Sequence, residues 1–203
     1  MKTQLTFLVL FVLMTAGFGH RAPAPAPSPQ PSPTALPTPS APYHGPKIIA
    51  LGCDSTCSAD QLAQVPLIEA AMNQTLTSDC LAQYFRTPGR RLDNTNGLTP
   101  DQILAKLHIP TALTINYFYK GWPSRTQGYE SADDFSTIHF NSRYTNSWSV
   151  CEIASLGLHE FTHTKQFWHN GNKAAPNYYT IPYTMNHAAD SKTVDARNGG
   201  CCL

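Results

Sequence analysis

Ten of the seventeen prolines fall between His20 and Pro46, in "HRAPAPAPSPQPSPTALPTPSAPYHGP". Each proline fixes its own φ, lacks a backbone N–H, and pushes the residue before it toward extended geometry. Such a run reads as a stiff, solvated polyproline II linker or pro-segment rather than a packed element. It divides the chain. Ahead of it, residues 1–19 carry Lys2, an apolar core from Leu5 to Met14, and then the small residues Ala16, Gly17 and Gly19. That layout predicts a secretory signal peptide cleaved near Gly19. The apolar core is shorter than the roughly 20 residues a bilayer span needs, so no stable membrane insertion is expected. A fold must come from residues 47–203, which suffice for one domain with its own core.

Export changes how the cysteines read. Cys53, Cys57, Cys80, Cys151, Cys201 and Cys202 all follow the leader, and six in an oxidising compartment predict up to three disulfides. The less favoured alternative is a thiolate zinc site built on Cys53 and Cys57. Net charge is +1 and only 13% of residues are charged, with no basic stripe, so nucleic acid is not an expected partner. A secreted monomer is expected.

From Ser58 to Phe85 the pattern is helical. Ser58 is a cap candidate, Leu62, Val65, Ile68, Ala71 and Met72 recur at helical spacing, and Pro66 either kinks the stretch or starts its second half. Ser78 begins a further short helix. "TPGRRLDNTNG" is loop by composition. Thr99, Pro100 and Asp101 open another short helix. "ALTINYFYK" alternates as a strand, with Leu113, Ile115, Tyr117 and Tyr119 on one face, and "STIHFNS" follows with Ile138 and Phe140. The polar, Gly-containing stretch between them reads as hairpin-like connection.

The next helix carries the chemistry. Ser149 and Glu152 form an S-x-x-E capping box in front of "IASLGLHEFTHTKQF". His159 and His163 are four residues apart, about 40° around a helix axis, so both imidazoles leave one face. Two neutral nitrogens so placed can meet one tetrahedral Zn²⁺. Glu160, beside the first of them, is positioned to take a proton from a zinc-bound water and hand it to a leaving amine.

This stretch, over residues 149–170, resembles the active-site helix of the zincin metallopeptidases, above all small secreted zincin-like domains whose helix reads HELTHxxQ. The resemblance implies an α+β fold. Helices and a small twisted, mainly antiparallel sheet would pack on a long active-site helix, and an edge strand would bind an extended peptide. It also implies His159 and His163 as ligands of one zinc and Glu160 as general base. Two patterns compete for the third ligand. The metzincin pattern HExxHxxGxxH puts His169 at the right count, and Met185 is a candidate for its methionine turn. However, Gln166 stands where that pattern has glycine, and the helix stop signal falls at Asn170–Gly171. A helix running to residue 169 turns its side chain far from the other two. Gluzincins and aspzincins instead take a carboxylate from a second helix. No glutamate follows His163, and Asp190 sits early in "MNHAADSKTVDARNGG", read as a short helix starting near Asn186 or His187. Asp190 is therefore preferred over His169, although the aspzincin signature GTxDxxYG is absent. Tyr183 and His187 are the preferred oxyanion donors, ahead of Tyr178 and Tyr179.

The expected function is a secreted zinc-dependent endopeptidase acting on polypeptide substrate. The alternatives are a zincin-like binding or envelope module without turnover, and a disulfide-stabilised domain in which the histidines bind nothing.

Overall fold

A computed structural model describes residues 45–131, 133–171 and 177–189. The predicted leader at residues 1–19, nearly all of the proline segment, Cys201, Cys202 and Asp190 lie outside the described residues. Among the described residues no helix is long and apolar enough to cross a membrane.

The protein is α+β. In chain order it forms β1 (Ile49–Cys53), α1 (Ala59–Leu76), α2 (Asp79–Arg86), α3 (Pro100–Leu107), β2 (Thr111–Phe118), β3 (Gly128–Ser131), β4 (Asp134–Asn141), the single-turn α4 (Ser142–Thr145), α5 (Val150–Thr164), a 3₁₀ turn (Asn177–Tyr179) and α6 (Ile181–Ala189). The expected caps are in place. Ser58, Thr99 and Ser149 each close a capping box with Gln61, Gln102 and Glu152, and the Ser78 hydroxyl accepts from Leu81 N–H. Each satisfies donors that a helix start leaves unpaired. One α1 helix runs straight through Pro66, which lies on its exposed side, whereas Leu62, expected in the apolar stripe, is 56% exposed.

The sheet differs from the expected one. Its order is β1-β2-β4-β3; β1 is parallel to β2 and β2 to β4, and only β3 is antiparallel, to β4. It is thus a mixed sheet with mostly parallel pairing. Three helices between β1 and β2 supply the long crossover that parallel neighbours require, while the two residues between β3 and β4 can make only a hairpin. β1 and β3 are both absent from the sequence reading. β1 is short and directly follows the prolines, and β3 is a four-residue strand within a polar stretch.

The core lies between the sheet and α5. Ile49, Leu113, Ile115, Ile138 and Phe140 are buried, and every residue of α5 from Ile153 to His163 is buried as well. Gly157 explains the close fit. A Cβ there would sit 2.9 Å from Met72 Sδ of α1 and 3.5 Å from Phe140 Cζ of β4. Only a residue without a side chain lets α5 settle against α1 and the sheet together. Asn73 closes the other end: its Oδ1 accepts from the N–H groups of Ile48 and Ile49, and its Nδ2 donates to the carbonyls of Ile49 and Glu69. Cys53 is disulfide-bonded to Cys57, which removes both from any thiolate metal site. Cys80 and Cys151 are disulfide-bonded too, so the first turn of α5 is covalently tied.

Candidate metal centre

His159 and His163 leave one face of α5 and both are buried, 9% and 6% exposed. What joins them depends on where α5 stops. The helix ends at Thr164, with Lys165 as its cap, well short of Asn170–Gly171. Gln166 then adopts φ +63°, its N–H donates to the His163 carbonyl, and Phe167 N–H donates to that of Thr162. The chain therefore reverses at Gln166, in a left-handed conformation more usual for glycine. The expectation that glutamine would let the helix run on is overturned.

The turn is held from outside. Asn96 Nδ2 donates to the Gln166 carbonyl at 3.0 Å, and Asn94 Nδ2 to that of Trp168 at 3.1 Å. Both asparagines have positive φ, 54° and 55°, a region this residue tolerates better than most. Phe167 packs fully buried beneath. Tertiary contacts thus impose a conformation that the local sequence does not favour.

The result brings His169 back to the helix. One nitrogen from each of His159, His163 and His169 lies within 4.8 Å of the other two. The Nε2 atoms of His159 and His169 are 3.2 Å apart. Two ligands of a tetrahedral zinc at ordinary Zn–N lengths stand about 3.3 Å apart, so this edge already has the right length. The outer ring atoms are engaged. His163 Nδ1 donates to the Phe167 carbonyl at 2.7 Å, and His169 Nδ1 faces Thr180 Oγ1 at 3.5 Å. Hydrogen bonds of this kind fix ring orientation and leave the opposite nitrogen free to bind.

The electrostatics agree with neutral ligands. Burial, and then the neighbouring histidines, pull the His159 pKa down to about 3. Burial and His163 bring His169 down to about 4, and burial lowers His163. All three imidazoles are therefore uncharged at neutral pH, the form a cation requires. Asp190, the preferred third ligand from sequence, lies outside the described residues; the described cluster contains His169, its alternative.

Glu160 is 3% exposed, and burial followed by the charge of Glu130 raises its pKa to about 8. Glu130 belongs to edge strand β3 and was not among the sequence candidates. Its carboxylate oxygens are buried without a hydrogen-bond partner, and burial, then Asp134, lifts its pKa to about 7. Gly128, two residues earlier and so on the same strand face, explains how Glu160 fits there. A Cβ on Gly128 would stand 3.0 Å from Glu160 Oε1 and 3.0 Å from the His139 carbonyl oxygen. Nothing in "GYES" marked these two residues, because their role arises from β3 lying against α5.

The oxyanion candidates part company. The Tyr183 ring lies 4.9 Å from that of His159 and 5.0 Å from that of His169, edge-on and tilted. His187 stands a turn further along α6, 6.4 Å from Tyr183, and packs on Tyr178 at 4.2 Å. The helix holding both starts at Ile181 rather than near Asn186. Met185 is fully buried within it, not in a turn. Comparisons with protein-family models, curated proteins and solved structures return no match to this chain.

Proposed function

We propose that this chain is a secreted zinc-dependent metallopeptidase, with His159, His163 and His169 as the ligands of one zinc and Glu160 as general base. The observation that carries this reading is the meeting of three neutral imidazoles, His159 and His163 buried and His169 half-buried, at the helix that also carries the buried Glu160. Three histidines satisfy zinc's preference for nitrogen and leave a fourth position open, as catalytic sites do. When bound, zinc supplies a Lewis acid and brings the pKa of water toward 7. The chain's own groups do the rest. Glu160 takes a proton from the attacking water and returns it to the leaving nitrogen. Glu160 would act as the carboxylate form, which a dication held by the three histidines would favour over the protonated one. Tyr183, packed on two of the ligands, supplies a phenol O–H for the developing oxyanion. The outer edge of β3 has no strand partner among the described residues and offers backbone groups to an extended peptide. Disulfides in the domain support export.

The test is metal content and peptide hydrolysis by the purified full chain, wild type and Glu160→Gln. One zinc per chain is expected in both, with kcat/KM falling about two to four orders of magnitude in the variant. Protein that stays metal-free in excess zinc defeats the proposal. A second reading, a zincin-like module that binds without turnover, draws support from the protonated state that burial imposes on Glu160. Under it, both proteins hold zinc and neither cleaves peptide.

A further inference from the structure

A cleft lies beyond Tyr183 as seen from the histidine cluster, with His187 in its wall. Thr87-Pro88-Gly89-Arg90 forms a tight turn: Arg90 N–H donates to the Thr87 carbonyl at 3.1 Å and Gly89 has φ +75°. Proline then glycine at the two central positions is the pattern of a type II turn, which glycine at the second position makes possible. This turn and the residues after it are fastened to the segment leading into α6. Asp93 N–H donates to the Tyr179 carbonyl at 2.8 Å, and Asp93 bridges Thr180. Between the two segments opens a cleft of about 380 Å³, walled by Tyr84, Arg90, Arg91, Tyr178, Tyr179 and His187 among others, with no acidic residue in its lining.

The two arginines of this cleft are in different states. Arg91 is spent: both its Nε and Nη2 donate to the Asp93 carboxylate, each at 2.9 Å. Arg90 is not. Its guanidinium carbon lies over the Tyr84 ring, 3.6 Å from the centroid, yet its Nε is buried with no acceptor. The described ion pairs involve Lys47, Arg86 and Arg91, and none involves Arg90. A buried donor without a partner is costly, and a guanidinium held on a ring carries a charge that no described carboxylate neutralises, which suits an oxyanion.

We propose that the cleft is an oxyanion-binding site, in which Arg90 receives the carboxylate or phosphate group of a ligand between the rings of Tyr84 and Tyr178. Arg91 contributes only the rim. His187, in the wall of the cleft, stands 6.4 Å from the Tyr183 ring, which packs on His159 and His169. The site does not depend on turnover at the histidines.

The experiment follows the Arg90 side-chain Nε–H resonance of the metal-free full chain while inorganic phosphate, or separately N-acetylglutamate, is added at neutral pH. The resonance is assigned by its loss in Arg90→Gln. A saturable shift of Arg90 and of the neighbouring Gly89 amide is expected. Saturation by phosphate alone marks a phosphoryl ligand, saturation by N-acetylglutamate alone a carboxylate ligand, and saturation by both a general oxyanion site. Arg90→Lys, which keeps the charge but loses the planar fork, should weaken binding about tenfold, and Arg91→Gln should change it little. Absence of saturation by either anion overturns the proposal. So does an unchanged Gly89 titration in Arg90→Lys.

Discussion

Asn73 and the histidine cluster are both polar groups sunk into one core, and they sit there on opposite terms. Asn73 spends its side-chain amide on backbone: two N–H groups and two carbonyls at the start of β1 and within α1. Around α5 the polar atoms face one another instead. Two histidine nitrogens stand 3.2 Å apart, and Glu130 keeps two buried oxygens without partners beside Glu160. A buried polar group normally satisfies itself within the protein. Where a fold satisfies one polar cluster completely and leaves another converging on itself, the second has a donor set that could hold a metal ion.

That contrast can be broken in graded ways. The largest effect is expected from His163→Ala, which should weaken zinc binding by more than about 100-fold, read by competition with a chelator. In metal-free protein, His169→Gln should move stability by less than about 1 kcal/mol, because the half-buried ring gives up only neutral hydrogen bonds to His159 and Thr180 that an amide can in part replace. A large loss there would mean that the cluster is structural. Asn73→Ala should cost about 3 kcal/mol with or without metal, since it strands buried backbone donors; denaturant unfolding in chelator and in zinc measures both. Gly128→Ala comes next. The His139 carbonyl cannot move aside easily, so the new methyl should displace the Glu160 carboxylate. Turnover should fall about ten- to a hundred-fold with zinc retained. The smallest effect concerns Tyr117, whose hydroxyl is buried without a partner and whose pKa burial raises to about 12. The fold favours the neutral phenol. Its contribution is therefore complete below pH 10, where the unfolded tyrosine begins to ionise, and is lost as pH rises through about 12. Tyr117→Phe should match wild type within about 1 kcal/mol at pH 8 and lose less stability than wild type at pH 11.

The sequence carried the helices well, because their signals are local. Ser58, Ser78, Thr99 and Ser149 each cap the helix that their spacing announces. It carried His159 and His163 as one face, with Glu160 next to the first of them, for the same reason. It failed where the cause is remote. Gln166 turns left-handed because Asn94 and Asn96 hold the carbonyls on either side of Phe167, some seventy residues away in sequence. A local reading of that turn looks for glycine and, finding none, extends the helix. The sheet was misjudged similarly. β1 and β3 are four or five residues long and owe their strand geometry to β2 and β4, and parallel pairing is a property of the crossover rather than of any strand's own residues.

The turn at Gln166 also sets what must break before an ion could leave. His159 and His163 ride on a capped helix whose first turn is tied by a disulfide, and they can separate only if the helix frays. His169 is carried on a short arm latched by two amide hydrogen bonds at the protein surface. Under the proposed function, freeing His169 would need Phe167 to leave the core and its backbone bonds to Thr162 and His163 to break along with the two asparagine bonds. Loosening the latch at Asn96 would then shorten the ion's residence time although Asn96 never touches it.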